Sequence, residues 1–247
     1  MKNTKKKISM KIATVAVVGV TFVLTYAFLT SQTKPDSNVF TPTPNIGLDI
    51  SEPNWTEDAN GDGHYGEEDA KNYTANQLIE TDPKLTNTTT SAKHSDEYVS
   101  MELHYFIDDK EVTYSEFTKV AKVQYKDKDG NVVEGFKPAW EALTGSGVEH
   151  GDNDRFYYVG ESVDLEILKK GDSTQTIFDY VKINPQLRLE KEDGSKNTIT
   201  LTGVDGNEFV VDGMPNFKIE VKGYGVQAAN ITLEEARAEL LNLMNAN

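Results

Sequence analysis

The chain has no cysteine. That excludes disulfide staples, a lipid-modified cysteine, thiolate nucleophiles and cysteine-ligated zinc. A domain without such staples stands on its hydrophobic core alone. Histidine is scarce as well. His64, His94, His104 and His150 are the only four, and none lies in a His-Glu-x-x-His helix. That spacing would set two zinc ligands on one helical face beside a general base. There is no Gly-x-Ser-x-Gly elbow and no Gly-rich phosphate cradle, so the sequence supports no particular catalytic chemistry. Positive charge is short: 25 basic residues face 40 acidic ones, a net charge of -15. Such a field repels a phosphate backbone, which argues against nucleic acid as a partner and favours divalent cations or cationic surfaces.

The basic residues that exist are concentrated at the start. Lys2, Lys5, Lys6, Lys7 and Lys11 form a basic head, and no charged side chain follows from Ile12 to Thr33. A basic head ahead of an apolar run is the pattern of an export signal. Thr25-Tyr26-Ala27 places small residues where a signal peptidase inspects the chain, so residues 1–27 are expected to be a signal peptide cleaved after Ala27. The rival is an uncleaved membrane anchor, since the run is long enough to span a bilayer as a helix. Thr14, Thr21, Thr25 and Thr30 dilute its apolarity, and no basic cluster follows as a stop. Either way the rest is expected outside the cytoplasm, secreted or held at the cell surface. Removing five basic residues and no acidic one leaves 20 against 40. The last residues, Leu243 to Asn247, carry no apolar tail or sorting motif, so covalent wall attachment there is not expected.

Residues 28–44 are rich in Thr, Ser and Pro, with Pro35, Pro42 and Pro44. Each proline fixes its own φ and pushes its predecessor toward extended geometry. This segment is expected to be an extended arm, followed by a single β-sandwich domain over residues 45–247. Val99, Met101, Leu103, Tyr105 and Ile107 alternate with Ser100, Glu102, His104 and Phe106, the period of a half-buried strand. On that strand His104 falls on the polar side and is expected at the surface.

Asp-Gly pairs at Asp129-Gly130, Asp193-Gly194 and Asp205-Gly206 punctuate β-rich runs, as tight turns require. Around ten strands are expected, including Val120–Tyr125, Asn131–Phe136, Phe156–Val159, Val163–Leu168, Phe178–Ile183, Leu187–Glu190, Thr198–Leu201, Glu208–Val211 and Phe217–Val221. The fold class is therefore all-β: an antiparallel two-sheet, jelly-roll-like sandwich. A C-terminal helix capped by Thr232 and Glu235 would lay Ala236, Leu240, Leu243 and Met244 on one face. A shorter helix would follow Ser115 over Glu116–Val120.

The sharpest chemical motif is Asp58-Ala59-Asn60-Gly61-Asp62-Gly63-His64-Tyr65-Gly66-Glu67-Glu68-Asp69. It follows the acidic calcium loop, with side-chain oxygens at positions 1, 3 and 5, Gly at 6, a backbone carbonyl at 7 and a carboxylate at 12. Ca²⁺ takes about six to eight oxygens at roughly 2.3–2.6 Å. Asp58, Asn60, Asp62, the His64 carbonyl and Asp69 would supply them. Asp69 is shorter than the usual Glu, which could pass the task to Glu68. No flanking helix pair is evident, so the loop is expected as an insertion between strands.

With these residues in view, the chain resembles the TasA/camelysin family of exported Gram-positive fibre proteins. The likeness is carried by Thr25–Thr30, similar to signals handled by the peptidase SipW, and by Leu48–Trp55. It continues through Asp82–Thr88 leading into Asp96–Val99, then Gly171–Thr174, Phe178–Ile183 and Tyr224–Ala228. The resemblance implies a jelly-roll subunit of extracellular biofilm-matrix fibres. The nearly uncharged arm is expected to add as a strand to the open edge of a second copy, giving a homopolymer, with a disordered tether as the alternative that Pro35 favours. The calcium-like loop is an insertion against the family pattern. Because some relatives are labelled metallopeptidases, a camelysin-type secreted metallopeptidase is the alternative, with a monomeric surface adhesin as a third reading. No catalytic residue is carried over.

Overall fold

Strand alternation sets the centre of the fold. The computed structural model describes residues 24–28, 47–90, 95–143 and 154–246. Its elements are, in chain order, β1 (Leu24–Phe28), β2 (Leu48–Ser51), α1 (Pro53–Thr56), α2 (Gly66–Asp69), β3 (Leu78–Glu80), β4 (Lys84–Asn87), β5 (Glu97–Ile107) and β6 (Lys110–Val112). There follow α3 (Tyr114–Phe117), β7 (Ala121–Lys126), β8 (Val132–Glu134), β9 (Trp140–Ala142), β10 (Arg155–Tyr158) and β11 (Tyr180–Ile183). The last are β12 (Thr198–Thr202), β13 (Glu208–Asp212), β14 (Phe217–Gln227) and α4 (Leu233–Asn245).

A six-stranded sheet runs β1-β14-β5-β10-β9, with β6 also on β5, and a four-stranded sheet runs β3-β11-β7-β8. Two ribbons, β12-β13 and β2-β4, complete the set. Every pairing among these strands is antiparallel, and one sheet curls into half a barrel.

The expected alternation on β5 places Val99, Met101, Leu103, Tyr105 and Ile107 in the main core, but the strand is not half-buried: Ser100 and Glu102 on its other face are buried as well. Ile79, Val123, Val181 and Ile183 from the four-stranded sheet join the same cluster. A second cluster forms where α4 lays Ala236, Leu240 and Met244 against Tyr98, Tyr157, Tyr224 and Val226. The capping box at Thr232 and Glu235 is present as expected. Close packing of the β2-β4 ribbon over β14 needs a glycine: a Cβ on Gly223 would stand 2.5 Å from Leu85 Cδ2.

Several expectations need correction. Fourteen strands are described where about ten were expected. Leu187–Glu190 and Val163–Leu168 are not strands and carry only isolated bridges, Glu190 to Lys196 and Leu168 to Glu97. Around Val163, side chains take over the backbone donors. The Asp164 amide donates to Ser162 Oγ and the Leu165 amide to Asp164 Oδ1, which competes with a ladder. The short helix starts two residues early, at Tyr114, with Thr113 rather than Ser115 as its cap, accepting from the Glu116 amide. One-turn helices α1 and α2 stand on either side of Gly61. His104 is not a surface residue, since its side chain is only 11% exposed. Of the signal and arm expectations, all but residues 24–28 lies outside the described residues.

Candidate functional sites

The acidic loop is built on nested side-chain turns. Asp58 Oδ1 accepts from the Asp62 amide at 2.9 Å and Oδ2 from the Gly63 amide at 2.9 Å. Asn60 Oδ1 accepts from the Asp62 amide at 3.1 Å, and Asp62 Oδ1 from the His64 amide at 3.0 Å. Gly61 and Gly63 make this winding possible with φ of 77° and 91°, conformations that cost glycine little. Asp58, Asn60 and Asp62 are thus gathered within one turn. Asp69 stands apart on α2, its Oδ1 3.6 Å from His64 Nδ1. Glu68 is engaged by the Tyr65 hydroxyl instead.

The residue that sequence reading missed is Glu80 on β3. Its Oε2 accepts from Asn60 Nδ2 at 2.7 Å, tying the loop to the sheet. Partial burial and the charge of Asp62 push the Glu80 carboxyl up, so negative charge is crowded here. Among the described residues no group of three or more Asp, Glu or His side chains lies close enough together to hold a metal ion. The first three positions fit a hard cation by donor type. Beyond the His64 carbonyl, a further carboxylate ligand would have to come from Asp69 or Glu80 by rearrangement. The loop's base is firm: a Cβ on Gly66 would stand 1.9 Å from the Glu80 carbonyl oxygen and 2.6 Å from Trp55 Cε3.

Just ahead of the loop, Glu52 is buried with its Oε2 accepting from Thr81 Oγ1 at 2.7 Å. Its Oε1 is buried with no hydrogen-bond partner. Burial pushes this carboxyl up to about 8, against the Thr81 bond, and the charge of Asp82 adds to the rise. Asp82 is pushed to about 6 by burial, although the Asn54 amide donates to it at 2.7 Å.

A second polar cluster joins the six-stranded sheet to α4. Arg155 is buried, its Nε donating to Glu102 Oε1 at 2.9 Å. Its other nitrogens donate to Asn245 Oδ1 at 2.6 Å and to the Met244 carbonyl at 2.9 Å. Tyr224 donates its hydroxyl to Glu102 Oε2. His104 Nε2 lies 3.4 Å from the same oxygen, and Nδ1 lies 2.6 Å from Glu111 Oε1. Burial alone would raise Glu102, but His104, Tyr224 and Arg155 together hold it at about 2. Burial alone would lower His104, but hydrogen bonds and the charge of Glu102 raise it to about 9. The arrangement is a charge-balanced rivet, which ends the helix on a cation as its dipole favours.

The third feature is an edge. β1 pairs antiparallel with β14, from Leu24 opposite Lys222 to Phe28 opposite Lys218. It therefore caps the side of β14 that β5 does not occupy. Sequence reading assigned Leu24–Ala27 to the signal. The clue it passed over was the period-two pattern of Leu24, Tyr26 and Phe28.

No family model matches the chain, and no curated protein or solved structure matches it. Among the described residues no helix is long and apolar enough to cross a membrane.

Proposed function

We propose that the chain is a secreted structural subunit of extracellular biofilm-matrix fibres, self-assembling and calcium-stabilised, with a jelly-roll-like arrangement of its two main sheets. The resemblance to the TasA/camelysin family supports this reading. The observation that carries it is the pairing of β1 with β14. A SipW-type peptidase cutting after Ala27 removes four of the five residues of β1 and leaves the outer edge of β14 uncovered. An uncovered edge is a template for strand addition. The arm from Phe28 to Phe40 of a second copy is the natural occupant. Its proline favours extended geometry, and it carries only Lys34 and Asp36 as charges. Donating it would bury its leading Phe28 and Leu29 and restore the ladder that cleavage removed. Pro35 lacks one ladder donor, so donation is expected to use residues ahead of it.

The test is electron microscopy and sedimentation of the purified mature protein beside a form lacking Phe28 to Asp36. Donation predicts fibres from the mature protein and a folded, non-polymerising monomer from the truncated one. Unimpaired fibres from the truncated protein would overturn it. Monomers in both forms would point to the adhesin.

A further inference from the structure

Asn60 is followed by Gly61, the only Asn-Gly pair in the sequence. Both residues are exposed, and a Cβ placed on Gly61 would meet nothing within 4 Å. Asparagine is chemically labile, and a following glycine carries no side chain to shield its backbone nitrogen from attack. We propose that Asn60 is a site of spontaneous deamidation, held back by the hydrogen bond that ties its amide to Glu80. The Gly61 nitrogen attacks Asn60 Cγ, forming an N–Cγ bond. The Cγ–Nδ2 bond breaks, and Nδ2 leaves as ammonia with the proton lost from the Gly61 amide. Water then opens the five-membered imide. Opening at Cγ gives aspartate, and opening at the backbone carbonyl gives isoaspartate, with the chain rerouted through Cβ. No redox change occurs, and water is the only co-reactant.

The structure both restrains the step and gives it consequences. Asn60 Nδ2 donates to Glu80 Oε2 at 2.7 Å and to Asp62 Oδ2 at 3.2 Å, while Oδ1 accepts from the Asp62 amide at 3.1 Å. Attack requires the side chain to swing toward Gly61 and give up these bonds, and the Gly61 amide to release the Asp58 carbonyl it donates to at 3.3 Å. Once Nδ2 has gone, a carboxylate faces Glu80 and Asp62 where a donor stood. Like charges at that distance repel, so the loop parts from β3 unless a cation bridges them. The aspartate product adds a hard oxygen ligand to the loop, and the isoaspartate product breaks its spacing. That consequence for cation binding rests on the calcium reading above; the deamidation itself does not.

The experiment ages the purified extracellular protein in mildly alkaline buffer, with and without calcium, and follows position 60 by peptide mass spectrometry. Asn131, exposed but followed by Val132, serves as the internal comparator. The expected result is loss of the intact Asn60 peptide with two products appearing, while Asn131 stays intact. Gly61→Ala should suppress the loss, and Glu80→Ala should hasten it. Asn60 surviving as well as Asn131 would overturn the proposal, and an unchanged rate in Glu80→Ala would overturn the restraint. Deamidation at equal rates with and without calcium would count against the calcium reading alone.

Discussion

Glu52 shows how burial and ionisation compete at one residue. Its carboxyl has a single hydrogen-bond donor, Thr81, and one oxygen with none. A carboxylate in that position is costly, so the folded chain holds a proton there up to about 8, against an ordinary 4.5. Glu97, raised to about 7 by burial, and Asp154, raised to about 6 by burial, act in the same direction. Between the ordinary carboxyl range and these raised values the folded state binds protons that the unfolded state has released. Stability from these groups is therefore fully present below their ordinary values of 3.8 to 4.5 and is lost as pH rises through about 6 for Asp154, about 7 for Glu97 and about 8 for Glu52. Thermal unfolding followed across that window should show a falling Tm with rising pH. Glu52→Gln, which resembles the protonated acid, should flatten the slope and be more stable than the parent at the alkaline end. A variant with the parent's slope would show that Glu52 ionises without cost.

At the scale of elements, the acidic loop and its neighbours behave as one unit. Asp58, Asn60 and Asp62 organise the backbone, Trp55 and Gly66 seat it, and Glu80 ties it to β3. If calcium is bound there, it must draw in a carboxylate from Asp69 or Glu80, so affinity is expected in the weak extracellular range of about 10⁻⁴–10⁻³ M. Saturating calcium should raise the Tm by mass action, and calorimetry of Asp58→Ala plus Asp62→Ala should show no such rise. An equal rise in both proteins would place the cation elsewhere. The loop was legible in sequence because its ligand spacing is local. Glu80 was not, because it meets Asn60 only through the fold, across 20 positions of chain. The same distinction holds elsewhere. Strand β5 and the capped helix α4 follow from periodicity and local hydrogen bonds. The partners of Arg155, at Glu102, Met244 and Asn245, depend on strand register and helix docking, which no local pattern encodes.

For the whole molecule, the central question is what completes the six-stranded sheet. The rivet at Arg155 and Glu102 closes one face beneath α4, and β9 lies at the far edge. At the other edge the sheet ends on β1, a strand drawn from the segment expected to be cut away. In sequence those residues read as the end of an export signal, and in the fold they read as a strand. Both readings are compatible if β1 is a placeholder whose position on β14 passes to the arm of a neighbour. Backbone hydrogen exchange along Lys218–Lys222 tests this most directly, because these residues pair with Leu24–Phe28. The outward-facing amides are expected to exchange fast in the mature monomer and to become protected in the fibre, with the inward-facing amides protected in both. Outward amides that remain fast in the fibre, or that are already fully protected in the mature monomer, would contradict it.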